Sequence, residues 1–342
     1  MAEHTTTPLI LTAGRDDAGR RLDRVLRRAL PDLPLSALHR LLRRGSVLVG
    51  GKAAAGEDRV GEGAVITVKD LCGGGPERSG AARREASGGL EVLWRGDGLL
   101  AVNKPAGVAV HGGRADGKLC LDAMVRDYLA GELPPSLSFK PGPLHRLDRP
   151  TSGIIVFSTD LRGARFFSDM LRGGRVKKQY LAIADGTAEE AGLWEDELVR
   201  DTSRRKTLKT APGAAGINGK KRLAAVTRVR PLASGPARAG LAHTLILAET
   251  VTGRTHQIRA QAALRGHPLS GDKKYGGSRL NGGFFLHAWK IAIPRADGGE
   301  PVRVTSPLPP RFARAVAELF PGLDVSGITG VPLVPPENSF YN

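Results

Sequence analysis

Cysteine is almost absent from this chain. Cys72 and Cys120 are the only two among 342 residues, in dissimilar surroundings, so neither a disulfide framework nor a four-ligand zinc site can be built. That usage suits a reducing compartment. Long apolar runs are missing as well: no stretch reaches the roughly 18 consecutive apolar residues that would span a bilayer. Residues 1–10, with Glu3 and His4 among threonines, lack the basic start and apolar centre of a secretory signal. A cytoplasmic protein without membrane contact is expected. Three chemistries drop out with their signatures, since there is no Gly-x-Gly-x-x-Gly between a strand and a helix, no phosphate loop ending in Lys-Ser/Thr, and no His-Glu-x-x-His helix. A nucleophilic serine or cysteine in a strand-to-helix elbow is also missing. Acid is scarce, with 34 Asp and Glu against 51 Lys and Arg and a net charge of +17. Such an excess points to a polyanionic partner, nucleic acid being the commonest, although simple solubility would use the same charge.

The length suggests two domains. Near the N-terminus Leu22, Val25, Leu26, Ala29 and Leu30 recur at helical spacing with Arg20, Arg21, Arg24, Arg27 and Arg28 mostly on the other face. Ser36 is the expected N-cap of a second helix, which carries Leu38, Leu41 and Leu42 inward, His39, Arg40, Arg43 and Arg44 outward, and Gly45 as its stop. Val47 to Val49, a turn at Gly50-Gly51-Lys52, and Ala64 to Val68 read as a small sheet. Between Arg20 and Lys69 stand 11 basic and 5 acidic side chains. Arg24, Arg40, Arg43, Arg44 and Lys52 then suit phosphate contacts, which give affinity without reading sequence; a merely solvated basic face has the same composition. Residues 70–89, mostly glycine, serine and charge with almost nothing to bury, read as a flexible linker, on which an N-terminal module would concentrate nucleic acid without a fixed orientation.

From Leu90 the short apolar runs become denser. Strands are expected at Leu90 to Trp94, Leu99 to Asn103, Val108 to Val110, Gln179 to Ala184, Leu241 to Ala248 and Phe285 to Ile293. Helices are expected at Leu121 to Leu129, Asp160 to Arg172, Ala260 to Leu264 and Arg311 to Leu319. Residues 200–230 carry ten basic side chains against Asp201 alone and read as a mobile hairpin that clamps a nucleic acid backbone, or as a solvated loop. Residues 321–342 read as an irregular tail.

The most informative stretch is Pro143-Leu144-His145-Arg146-Leu147-Asp148-Arg149-Pro150-Thr151-Ser152-Gly153, which runs into the apolar Ile154 to Phe157. A carboxylate between two arginines, in a loop feeding a buried strand, is a group held ionised for use, and Asp148 is the candidate catalytic residue. His145, His256 and His267 lack paired ligand spacing, so they are expected to orient loops and no metal is expected.

His145-Arg146-Leu147-Asp148 with Thr151-Ser152-Gly153, Gly253-Arg254-Thr255-His256-Gln257-Ile258-Arg259, and Gly266-His267-Pro268 to Gly271-Asp272 together resemble the RluA family of RNA pseudouridine synthases. Asn103-Lys104-Pro105-Ala106-Gly107 and Lys178-Gln179-Tyr180 are similar to its remaining blocks. The N-terminal helices and turn resemble the alpha-L RNA-binding domain, with Gly50 where Asn is more usual. Ser158 and Thr159 depart from the Ala-Lys often found after the strand that follows Gly153.

The resemblance implies an α+β fold: a catalytic domain on a mixed, largely antiparallel central sheet over residues 90–320, preceded by a small α+β RNA-binding domain over 13–69. It implies isomerisation of specific uridines without a cofactor, by breaking the bond between uracil nitrogen 1 and ribose and rejoining the base through carbon 5. Asp148 corresponds to the catalytic aspartate, Arg259 to its charge partner, and Tyr180 to the tyrosine whose ring stacks on the base and whose hydroxyl helps to remove the carbon 5 proton. Arg146 corresponds to the arginine that fills the gap left by a flipped uridine, while Arg254 suits either an RNA phosphate or a structural pair. RNA is the expected partner, large-subunit (23S) ribosomal RNA above all, with no DNA and a monomeric enzyme. A tRNA-modifying member of the family and a non-catalytic RNA-binding assembly factor are the competing readings.

Overall fold

The structure, a computed structural model, describes residues 8–71, 89–112, 120–188, 190–201, 206–209, 222–238 and 240–323. The linker expected at 70–89, except for its ends, lies outside the described residues. So do 202–205 and 210–221 of the basic block, and the tail beyond 323. The chain forms two compact units.

The first comprises Met1–Leu90, Met124–Gly142 and Ser158–Arg165. In it β1 (Leu9–Thr12), α1 (Leu22–Ala29), α2 (Leu35–Arg43), β2 (Val47–Val49), β3 (Lys52–Ala53) and β4 (Val65–Val68) build an antiparallel sheet of order β1-β4-β2-β3. The helical spacing of Leu22, Val25, Leu26 and Leu38 puts them in one core with Val47, Ile66 and Val68, so the arginines between them stay outside. Gly50 and Gly51 turn β2 into β3 with both φ values positive, at +57° and +81°, the conformation a two-residue hairpin demands. Helix α2 ends as the sequence predicts, with Gly45 N–H donating to Leu42 O and Ser46 N–H to Leu41 O. Its start differs from expectation. Pro34, not Ser36, stands at the cap, because the proline carbonyl accepts the first helical bond from Leu38 and leaves Ser36 exposed inside the first turn.

This unit includes segments beyond the 13–69 span expected for an N-terminal module, and one carboxylate gathers several of the bonds between them. Asp17 is fully buried and accepts from the backbone N–H groups of Gly14, Leu137 and Ser138 at 2.8–2.9 Å, and from the hydroxyls of Ser136 and Ser138. Burial works against its charge, but these bonds outweigh burial and hold its pKa below the ordinary carboxylate value. A Cβ on Gly14 would stand 1.8 Å from Pro135 O, so the two segments meet backbone to backbone.

The second unit comprises Glu91–Ala123, Pro143–Phe157 and Phe166–Asn342. The elements after β4 are β5 (Glu91–Gly96), β6 (Leu99–Lys104), α3 (Leu121–Tyr128), β7 (Gly142–Pro143), β8 (Ser152–Ser158), α4 (Leu161–Arg172), β9 (Lys177–Asp185), β10 (Gly192–Asp201), β11 (Lys206–Lys209), β12 (Leu223–Arg238), β13 (Leu241–Thr250), α5 (Gln257–Leu264), β14 (Leu286–Ile293), β15 (Val302–Thr305) and α6 (Pro310–Leu319). Strands β5 to β15 join in a second sheet of order β11-β10-β12-β13-β9-β14-β8-β6-β5, with β15 on β14 and β7 on β8. Its registered pairs are antiparallel except β8 with β14, so the sheet is mixed and largely antiparallel. Leu181, Ile183, Leu245 and Leu247 share a core with Phe312 and Val316 of α6, whereas Ile154, Val156 and Ile291 pack with Phe167 of α4.

Two further expectations are corrected. Val108 to Val110 is not a strand, because the Val108 carbonyl accepts from Lys104 Nζ and those of Ala109 and Val110 accept the first amides of α3. Where described, the basic block joins the sheet through β10, β11 and β12: Ala225, Thr227 and Val229 are buried in alternation with exposed Arg228 and Arg230. Replacing Asp17 by Ala should strand its five donors and lower the unfolding free energy by about 3 kcal/mol, read as a loss of urea midpoint.

Candidate active site

The loop before β8 is held from several sides. His145 Nε2 accepts the Val156 N–H at 3.0 Å, and its ring stacks on Phe167. Burial, with the Lys178 charge, pushes this histidine down to about 3, so it is neutral and serves as an acceptor. Thr151 N–H closes a turn onto the Asp148 carbonyl. Below the loop Lys104, fully buried, donates from Nζ to the carbonyls of Pro105, Val108 and Arg149 at 2.8–3.0 Å. Burial drives its pKa down to about 8 while Asp148 draws it up. The close approach of β8 to β14 depends on Gly153, whose φ is +106° and where a Cβ would stand 2.2 Å from Ala288 O.

Asp148 lines a cleft of about 450 Å³ together with His145, Arg146, Lys178, Tyr180 and Arg259. Arg259 Nη1 donates to Asp148 Oδ2 at 2.8 Å, bridging 111 positions of sequence. The rest of the guanidinium is fixed by a second carboxylate: Nε and Nη2 donate to the two oxygens of buried Asp272 at 2.6 and 3.0 Å. Phe284 and Tyr275 cover it, with ring centroids 4.3 and 5.1 Å from Cζ. Burial opposes the charge of Arg259, but its bonds to Asp272 and then Asp148 prevail and raise its pKa above the usual guanidinium value. Asp148 Oδ1 makes no hydrogen bond among the described residues. Arg149, the sequence neighbour, turns away and donates from Nε to Gly107 O at 2.8 Å.

His256 stands in the left-handed region (φ +55°) at the N-cap of α5, with Nε2 3.7 Å from Asp148 Oδ2. The Tyr275 hydroxyl accepts the Thr207 N–H and so has its own proton for His256 Nδ1, 3.0 Å away. Arg200 Nη1 faces the same nitrogen at 3.4 Å. These donors place the imidazole proton on Nε2, toward Asp148. Burial lowers His256 to about 4 despite the pull of Asp148, so the pair is polar rather than ionic at neutral pH.

Tyr180 projects from β9 into the cleft, almost wholly buried, and burial pushes its hydroxyl up to about 12. Arg146 is exposed at the rim. Arg254, half-buried, donates from Nε to Ala224 O at 2.8 Å, a structural engagement, and also lines the cleft. Arg24, Arg40, Arg43, Arg44 and Lys52 belong to the first unit and are exposed. Lys104, Lys178 and Asp272 stand within the motifs without an expected role; Lys104 alone carries a local signal, a charge at the end of the apolar run Leu99 to Val102. Among the described residues no three His, Cys, Asp or Glu side chains converge to hold a metal, and no helix is long and apolar enough to cross a membrane.

His145, His256 and His287 all lie below the 6.5 of a free histidine, the last at about 4 through burial. The unfolded chain therefore takes up protons that the folded one refuses as pH falls from 6.5 toward 4, and the native state loses stability through that window. Urea unfolding should show a loss of a few kcal/mol, roughly, between pH 7 and pH 5, and a smaller loss in His145→Gln.

Residues 98–264 match the family model described as RNA pseudouridylate synthase. Ribosomal large subunit pseudouridine synthase D of Neisseria meningitidis serogroup A is 32% identical over 95% of this chain and 86% of its own length. Ribosomal large subunit pseudouridine synthase C of Escherichia coli K12 is 28% identical over 93% and 99%. Among solved structures, human RNA Pseudouridylate Synthase Domain Containing 1 superposes with a TM-score of 0.51 at 26% identity, over 65% of this chain and 86% of that one. With the likeness to the curated relatives spanning nearly the whole sequence, the chain belongs to the RluA family of RNA pseudouridine synthases.

Proposed function

We propose that this enzyme isomerises uridines of large-subunit ribosomal RNA and that Asp148 is its nucleophile. The observation that carries the reading is the Asp148 carboxylate, bound through Oδ2 to Arg259 and with Oδ1 unengaged among the described residues, in a cleft that also holds Tyr180. A carboxylate gripped on one oxygen by a fixed guanidinium is oriented, with its other oxygen open for attack on a substrate carbon. The target uridine must leave its stack to reach a cleft of this kind, and exposed Arg146 at the rim occupies the vacated place. Breaking the bond to uracil nitrogen 1, turning the base and rejoining it through carbon 5 moves no electrons to or from an outside donor, so no cofactor is required.

Tyr180 supplies a ring for the flipped base to stack on. With its hydroxyl pushed up to about 12 it keeps its proton at neutral pH, which favours the stacking role over that of a base in the unliganded enzyme. The ribosomal substrate rests on the relatives: both curated proteins described above are synthases of the ribosomal large subunit. Residues 13–69 act as the RNA-binding domain, their exposed Arg24, Arg40, Arg43, Arg44 and Lys52 contacting phosphates, and 90–320 as the catalytic domain. The enzyme works as a cytoplasmic monomer.

Asp148→Asn should reduce tritium release from carbon 5 of labelled uridine in a large-subunit RNA transcript to background, with RNA affinity within about threefold of wild type, since phosphate contacts carry most of it. Substantial turnover by this variant would remove Asp148 from the nucleophile's role. Pseudouridine mapping in a deletion strain should show loss from large-subunit RNA; loss from tRNA alone would refute the ribosomal assignment.

A further inference from the structure

One charged group of the cleft has no function in the chemistry above. Lys178 is 91% buried by its 9% exposure, lines the cleft, and has no hydrogen-bond or ion-pair partner among the described residues. Every other deeply buried cation described here is compensated: Lys104 by three carbonyls, Arg259 by two carboxylates. Proteins rarely bury an ammonium without a counter-charge, because desolvation is then unrepaid.

The position of Lys178 says what it awaits. It lies two residues before Tyr180 on the same face of β9, about 7 Å along the strand. Its charge bears on His145 at the foot of the carboxylate loop, and burial lowers its own pKa. One residue further back, Lys177 lines a second groove of about 710 Å³ with Arg172, Arg175, Arg228 and Arg295. The two hollows share Arg172 and Val251, so they are contiguous. Arg172, Arg228 and Arg295 pair with Asp169, Glu249 and Asp297. Arg175 and Lys177 have no ion-pair partner among the described residues.

We infer that Lys178 binds a backbone phosphate of the flipped uridine and that the groove at Arg175 and Lys177 carries the next phosphates of the same RNA strand out of the active site. The inference rests on the assignment of RNA as substrate. A phosphodiester is the one fixed negative charge a uridine brings into the cleft, and it meets the unpaired ammonium with a charge-assisted bond. Lys178 is a binding residue on this account, not one that acts on the glycosidic bond.

The test uses the full chain and a large-subunit ribosomal RNA transcript. Lys178→Met should weaken RNA binding about tenfold, with KM rising in step and kcat at saturating RNA falling less than about threefold. The slope of log affinity against log salt should become shallower by about 0.7 to 0.9, the value of one phosphate contact. Free of RNA, the variant should melt higher than wild type, because an unpaired buried charge has been removed. Unchanged affinity and slope would overturn the inference. A collapse of kcat at unchanged affinity would overturn it too, placing Lys178 on the leaving uracil, and a lower melting temperature with unchanged slope would make it a packing residue. Arg175→Ala, an exposed position, should also make the slope shallower and tests the groove if the first variant folds poorly. Wild-type protein that binds this transcript without forming pseudouridine in it would count against the ribosomal substrate, while the slopes would still decide the role of Lys178.

Discussion

Everything at the centre of this enzyme depends on one guanidinium being shared between two carboxylates. Arg259 spends Nε and Nη2 on Asp272 and so fixes the plane of its own head; only then does Nη1 arrive at Asp148 at a set distance. A lysine could neutralise the same charge but could not transmit orientation from one carboxylate to the other, since an ammonium is a point charge without a plane. Burial makes the arrangement exacting. The interior raises the cost of a misplaced charge, and the Phe284 and Tyr275 rings pack over the guanidinium. The same tyrosine holds His256 and the amide of Thr207, so the segment after α5 ties the sheet edge at β11 to the carboxylate loop.

The cleft is accordingly a place where the protein has fixed its polar groups before substrate arrives. Neutral His145 accepts an amide, neutral His256 presents Nε2 to the carboxylate, and Lys104 collects three carbonyls beneath the loop. Each of these groups would be free to rotate in water. Held here, they spare the cleft the reorganisation that the same groups would undergo in water when a substrate enters.

The parts of this design that could be read in the sequence are those with a pattern of their own. The leucine spacing of α1 and α2, the paired glycines between β2 and β3, and the apolar run of β8 lead directly to elements that the structure contains. Asp148, Tyr180 and Arg259 were recognisable through their motifs, and the Asp148–Arg259 pair shows why motifs were needed, since no local rule links positions 111 apart. Asp272 had no role because its partner Arg259, 13 positions away on α5, is beyond the reach of any helical or strand spacing rule. Strand β12 stayed hidden because arginines occupy its outward positions and disguise the alternation as a charge run. The start of α2 was misread at Ser36 because a proline carbonyl can do the work of a capping side chain. Val108 to Val110 has strand composition, but its carbonyls are consumed by a lysine and a helix end that sequence does not reveal.

Asp17 has a bearing on how such proteins recombine. An N-terminal module that joined its neighbour only through residues 72–88 could be cut there and transplanted. In this chain the carboxylate at position 17 closes on Ser136, Leu137 and Ser138, so a graft boundary drawn within 72–88 would separate a fully buried anion from most of its donors. The exchangeable piece is discontinuous: residues 8–71 travel intact only with the loop around 136–138.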